Sequence, residues 1–238
     1  MIPLRDENPA RTTPYVVYGL IALNVIAFAY NGTMGPHTHN PLAGLELVPA
    51  ELTIGRDFGA PTPVAPWVTI FTSMFLHANV LHIGGNMLYL WIFGNNIEDV
   101  LGHIKFVVFY LLSGTGAALA QVVTDPAAHM PMVGASGAIA GVLGAYLILF
   151  PRARVISLVI VFYFIQVTAL PASVVLGFWI VLQLINSLLF GSGMLPRGGV
   201  AYAAHIGGFV AGIVMIYLLG GGRLLRGRRP VEYRRSTW

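Results

Sequence analysis

PAAHMPMVGASGAIAGVLGAYLILFP, residues 126–151, contains no Asp, Glu, Lys or Arg in 26 positions. A hydrocarbon layer about 30 Å thick is crossed by roughly 20 helical residues rising 1.5 Å each. Charged side chains are costly at that depth, so an uncharged run of this length meets the first requirement of a membrane span. Five further uncharged stretches flank it: residues 12–45, 58–97, 106–124, 155–196 and 198–222. Barrel strands alternate apolar and polar residues with a period of two, whereas these runs are continuously apolar, which points to helices. Of the 238 residues, 56% are hydrophobic and only 9% charged, against about 25% charged in an ordinary soluble domain. The fold class expected is all-α: one polytopic membrane bundle of six transmembrane helices.

The spans are expected at residues 15–30, 80–100, 105–123, 134–150, 172–190 and 200–219. Residues 155–196 form the ambiguous stretch, long enough for one span or two. Pro171 divides it and suits a helix start, leaving 155–167 as an interfacial or partly inserted segment. Residues 31–66, rich in Pro, Gly and Thr with apolar Leu42, Leu45, Leu47 and Val48 among them, are expected to pack on the outer membrane surface. Six spans with the N-terminus inside leave eleven of the thirteen Lys and Arg residues on the inner side and only Arg56 and Arg197 outside, as the positive-inside rule requires. The expected organisation is a cytoplasmic segment 1–14, a membrane domain 15–220 and a basic cytoplasmic tail 221–238, with both termini inside the plasma (inner) membrane. The tail arginines beside an apolar span mark a cytoplasmic face rather than a nucleic-acid partner. The mixed charges Arg5, Asp6, Glu7 and Arg11 do not read as a cleavable leader. The absence of cysteine excludes disulfides, thiolate metal sites and cysteine nucleophiles.

Against this apolar background a few polar residues stand out: His82 and Asn86 in span 2, Ser136 at the start of span 4 and His205 near the start of span 6, with His77 just ahead of span 2. Even-numbered spans run from outside to inside, so these groups share one outer layer, Ser136 and His205 differing by roughly 5 Å in depth. A Ser hydroxyl becomes a nucleophile when a base takes its proton, and neutral His is the usual base. His205, Gly208 and Gly212 fall at i, i+3 and i+7, and Gly137, Gly141 and Gly144 give span 4 a matching bare face. Small faces let helices approach closely in lipid, which would bring Ser136 to His205. No Asp or Glu lies at this depth, so a hydrolase here would use a Ser-His pair. The Ser136 N–H, the Asn86 amide and a His82 ring N–H are candidate donors to an oxyanion. Other readings of the same residues are a serine bonded within its own helix, structural histidines, a His77–His82–His205 metal site without anionic ligands, and an ion path lacking a mid-span carboxylate.

His77-Ala-Asn-Val-Leu-His82-Ile-Gly-Gly-Asn86-Met87, Gly134-Ala135-Ser136-Gly137 and Ala204-His205-Ile-Gly-Gly208-Phe-Val-Ala-Gly212 together resemble the signatures of the rhomboid family of intramembrane serine proteases, in order and on the corresponding helices. Gly94-Asn95-Asn96-Ile97-Glu98 with Gly102, and Leu149-Phe150-Pro151-Arg152-Ala153-Arg154, extend the resemblance, chiefly to bacterial members. It implies Ser136 as nucleophile, His205 as general base, and His82, Asn86 and the Ser136 N–H as oxyanion contacts, with Gly134, Gly137, Gly141, Gly208 and Gly212 shaping the packing around them. It also implies a bilayer setting, substrates that are transmembrane helices of other proteins, a water-filled site open to the outer side, and no metal or cofactor. A non-proteolytic binding scaffold of the same family is the alternative, and nothing specifies an oligomeric state. Two positions depart from the family pattern: residues 31–66 lack the Trp of a Trp-Arg pair, and Ala140 stands where some members stack a Tyr on the histidine. Tyr146 and Tyr202 are the candidates to replace that packing.

Overall fold

A computed structural model describes residues 1–32, 42–56, 58, 63–161, 163–191 and 200–227. The expectations for the outer loop at 33–41, 57 and 59–62, for Arg197, and for the tail beyond residue 227 lie outside them. The chain runs β1 (Ile2–Asp6), α1 (Tyr15–Gly32), α2 (Pro49–Ile54), α3 (Thr69–Thr72, between turns at Pro66–Val68 and Ser73–Phe75), α4 (Val80–Tyr89), a π turn (Leu90–Gly94), α5 (Asn95–Leu101) and α6 (His103–Thr124). Then follow α7 (Ser136–Leu149), β2 (Arg154–Val161), β3 (Phe164–Pro171), α8 (Ala172–Gly191), α9 (Tyr202–Leu218) and α10 (Gly221–Arg226). Three helices, Tyr15–Gly32, His103–Thr124 and Ala172–Leu189, are long and apolar enough to cross a membrane, and Ser136–Leu149 and Tyr202–Leu218 are shorter apolar helices. The result is a largely helical, multi-pass bundle.

Its centre is the packing of α6, α7 and α9, and glycine makes that packing possible. A Cβ on Gly208 would collide with the Gly137 carbonyl oxygen, one on Gly212 with the Gly141 backbone, and one on Gly144 with the Phe209 carbonyl oxygen. On the other side of α9, a Cβ on Gly207 would strike Ala120 of α6. Backbones in contact across two seams give dispersion contacts without burying polar side chains, the form of cohesion that lipid allows. Phe93, Phe106, Tyr110, Leu143 and Tyr146 fill the lower core.

At the end opposite Ser136, buried acids hold the start of α1. Glu98, fully buried, accepts from the Val16 and Val17 N–H groups at 2.9 and 2.8 Å and meets His103 Nδ1 at 2.6 Å. Asp99 Oδ1 accepts from the Thr12 N–H at 3.0 Å and its hydroxyl at 2.7 Å. First-turn N–H groups have no helical partners, so Glu98 supplies them from another helix, while Asp99 ties down the approach to α1 at Thr12.

Residues 155–161 and 164–167, expected as part of an interfacial or partly inserted segment, are β-strands. They belong to an antiparallel sheet in the order β1-β2-β3, with Arg154 opposite Pro171, Leu158 opposite Val167, and Ile2 opposite Leu158 on the other edge. The β-branched residues Val155, Ile156, Val159 and Ile160 favour a pleated strand over a helix, a preference hidden by the uniform apolarity of the stretch. The N-terminal segment supplies β1.

The outer loop, where described, packs on the bundle. Leu47 and Met132 exchange backbone hydrogen bonds of 3.1 and 2.7 Å, the Ala50 N–H donates to the Ala128 carbonyl, and Thr53 Oγ1 donates to the Pro126 carbonyl at 2.7 Å. The loop is thereby stitched to residues 126–132, the approach to Ser136.

Candidate active site

Ser136 opens α7, and its hydroxyl stands at the helix start with the first-turn N–H groups beside it. The approach to it needs glycine: Gly134 has φ of +122°, and a Cβ there would lie 2.8 Å from both Cε1 and Nε2 of His82 and 3.6 Å from Asn86 Nδ2. Both the backbone conformation and the missing side chain are required. The Gly134 N–H donates to the Ser73 carbonyl at 2.9 Å, fixing the turn. His82 and Asn86, one helical turn apart on α4, therefore converge on the segment immediately before the serine. Asn79 starts α4 by accepting from the His82 backbone N–H at 2.9 Å.

His205 sits in the first turn of α9, across the glycine seam. Its Nε2 is 2.8 Å from Ser136 Oγ, and its Nδ1 is 2.8 Å from Gln183 Oε1 on α8. An amide oxygen only accepts, so Nδ1 carries the hydrogen, Nε2 holds the free lone pair, and the serine hydroxyl donates to it. That is the tautomer a general base needs. Asn86 Nδ2 is buried without a hydrogen-bond partner among the described residues, a donor left open next to the nucleophile. His77 packs edge-on to His82 with ring centroids 5.1 Å apart. Burial, with His82 adding to it, holds the His77 imidazole down at about 4, so it is neutral near pH 7. A cavity of about 860 Å³ lies over the pair, lined among others by Asn79, His82, Gln121, Ser136, Tyr202 and His205.

The sequence reading brought Ser136, His205, His82, Asn86 and the glycine seam to one place, and the structure brings them together there. It did not find Gln183. A carboxylate was sought as third member and an amide fills the position. Gln183 is the one Gln of its span, four residues after Trp179 and so on the same helix face. The packing against His205 is also supplied differently: Tyr146 lies at the far end of α7, donating to Asp6 Oδ2 at 2.7 Å, while the Trp179 ring stands 5.8 Å from the imidazole at 40°. Ala140, fully buried, makes room on α7. Among the described residues no group of three or more His, Cys, Asp or Glu is placed to hold a metal.

Fold and site define a multi-pass membrane protein with a hydrogen-bonded serine and histidine pair where two glycine-faced helices meet. The family model of the rhomboid domain matches residues 65–222, and the chain belongs to the rhomboid family. It is 32% identical to the mitochondrial Rhomboid protein 1 of Saccharomyces cerevisiae over 151 residues, 62% of this chain and 40% of that protein. RHOMBOID-like protein 1 of Arabidopsis thaliana is 31% identical over 180 residues, 76% of this chain and 41% of the relative. Rhomboid protease GluP of Bacillus subtilis is 30% identical over 134 residues, 56% and 24% respectively. The chain thus spans less than half the length of these relatives.

Proposed function

We propose that the protein is an intramembrane serine endopeptidase that cuts peptide bonds in or beside transmembrane helices of other membrane proteins. The observation that carries this reading is the 2.8 Å contact between Ser136 Oγ and His205 Nε2, made by residues from two different spans. Ser136 attacks the scissile carbonyl while His205 takes its proton. The oxyanion is held by Asn86 Nδ2, a His82 ring N–H and the Ser136 N–H. His205 then protonates the leaving amine, and water from the overlying cavity hydrolyses the acyl-enzyme. Helical substrates hide their carbonyls in i to i+4 bonds, so segments containing Gly, Pro or other weak helix formers are preferred. No metal or cofactor is needed.

The setting that goes with this reading is a six-span bundle of bacterial type in a plasma (inner) membrane, both termini cytoplasmic and the site opening outward. In it, residues 1–14 are a cytoplasmic segment, 15–220 the membrane domain with its outer loop, and 221–238 a basic tail. The charge bias supports that orientation. Depth agrees: the 14 residues of α7 extend about 21 Å, short of a layer about 30 Å thick, which recesses Ser136 below the surface. Substrate enters sideways beside α8, whose apolar flank is largely exposed.

Cleavage of a transmembrane model substrate in liposomes, compared between wild type and the S136A and H205A variants, tests the proposal. Cleavage that persists in S136A ends it. In the alternative, a non-proteolytic binding scaffold, wild type would bind such helices without cutting them and a fluorophosphonate would leave Ser136 unlabelled.

A further inference from the structure

We infer that Gln183 is the positioning residue of His205, holding the imidazole in the tautomer and orientation of a general base. The inference rests on the protease reading of the Ser136–His205 pair.

Two observations lead to it. First, the hydrogen-bond chain Gln183 Oε1···Nδ1 His205 Nε2···Oγ Ser136 has 2.8 Å at each step and draws its members from α8, α9 and α7. Without the amide oxygen, nothing described at Nδ1 selects the tautomer that leaves Nε2 free to accept. Second, Trp179 and Gln183 lie four apart, one turn of α8, and both address His205; the Trp179 ring also stacks on Phe209 at 6.3 Å. A single helix face thus holds the imidazole by a polar and an aromatic contact.

The test compares Q183L, which keeps the volume and loses the acceptor, with Q183E, which keeps both the length and an acceptor oxygen. Each is assayed in liposomes for cleavage of the transmembrane model substrate and, separately, for the rate of Ser136 labelling by a small fluorophosphonate, which needs no helix to enter. In Q183L, kcat and the labelling rate are expected to fall tenfold to a hundredfold with KM changed less than twofold, while thermal unfolding stays near wild type; Q183E restores both rates to within a few fold. Wild-type labelling in Q183L, or a loss in Q183E equal to that in Q183L, overturns the inference and leaves the protease reading intact. Absence of labelling and cleavage in wild type would instead remove the reading on which it rests.

Discussion

Asn86 sets stability against the oxyanion role proposed for it. Its amide nitrogen is buried without a partner among the described residues, a state that costs about 1–3 kcal/mol. Asn86→Ala is therefore expected to leave the melting temperature in detergent unchanged or raised, while kcat falls about a hundredfold, or on the order of 3 kcal/mol of lost oxyanion stabilisation; steady-state kinetics beside thermal unfolding would check the two directions together. Gly134 makes the complementary case. A methyl group there would press on the His82 ring and strain a backbone at φ +122°, so Gly134→Ala is expected to lower fluorophosphonate labelling of Ser136 about tenfold or more. Ser136 and His205 were legible in the sequence because their neighbours are glycines at helical spacing, which fixes who faces whom. Gln183 was not legible in that way. Its helix shows no amphipathic stripe, since lipid and protein faces are equally apolar, and only the packed structure reveals which side turns inward.

For the helices, the glycine seams and the α1 cap carry opposite lessons about where chemistry belongs in lipid. Gly212 and Gly177 separate a packed glycine from an open one: a Cβ at Gly212 meets the Gly141 backbone, and one at Gly177 meets nothing within 4 Å. Gly212→Ala is expected to cost about 1–3 kcal/mol by forcing α7 and α9 apart and to displace His205 from Ser136. Gly177→Ala should be neutral or stabilising by up to about 1 kcal/mol from helix propensity alone. Parallel melting curves and activity assays of the two variants would decide it. Glu98 does through charge what glycine does through absence, holding two amides of another span; Glu98→Ala leaves them buried and unpaired and should destabilise by about 2 kcal/mol or more. The helices themselves were legible from uncharged length, whereas β2 and β3 were not, because a continuous apolar run fits a buried strand and a buried helix equally well.

At the level of the whole molecule, Asp6 is a titratable group that couples folding to pH. Asp6 of β1 accepts from Tyr146 of α7, and burial, only partly opposed by that hydrogen bond, pushes its carboxyl from 3.8 up to about 6. Between those values the folded protein keeps a proton that the unfolded chain has released. Stability contributed by this group is thus present at low pH, declines as pH rises from about 4 to 6, and remains lower above 6. Asp6→Asn should remove that part of the slope and raise the unfolding temperature at pH 7.5 relative to wild type, as a pH series of melting curves would record.

The pairing of Ile2 with Leu158 also has a consequence in time. Ile2 leaves the ribosome more than 150 residues ahead of its partner Leu158, and the apolar helices α1, α6 and α7 lie between them in the chain. Closing this ribbon is necessarily a late event of biogenesis, governed by non-local encounter rather than by local helix formation. Until it closes, β2 offers an unpaired edge to any neighbouring chain, so removal of residues 1–8 should reveal itself less as lost catalysis than as aggregation during synthesis.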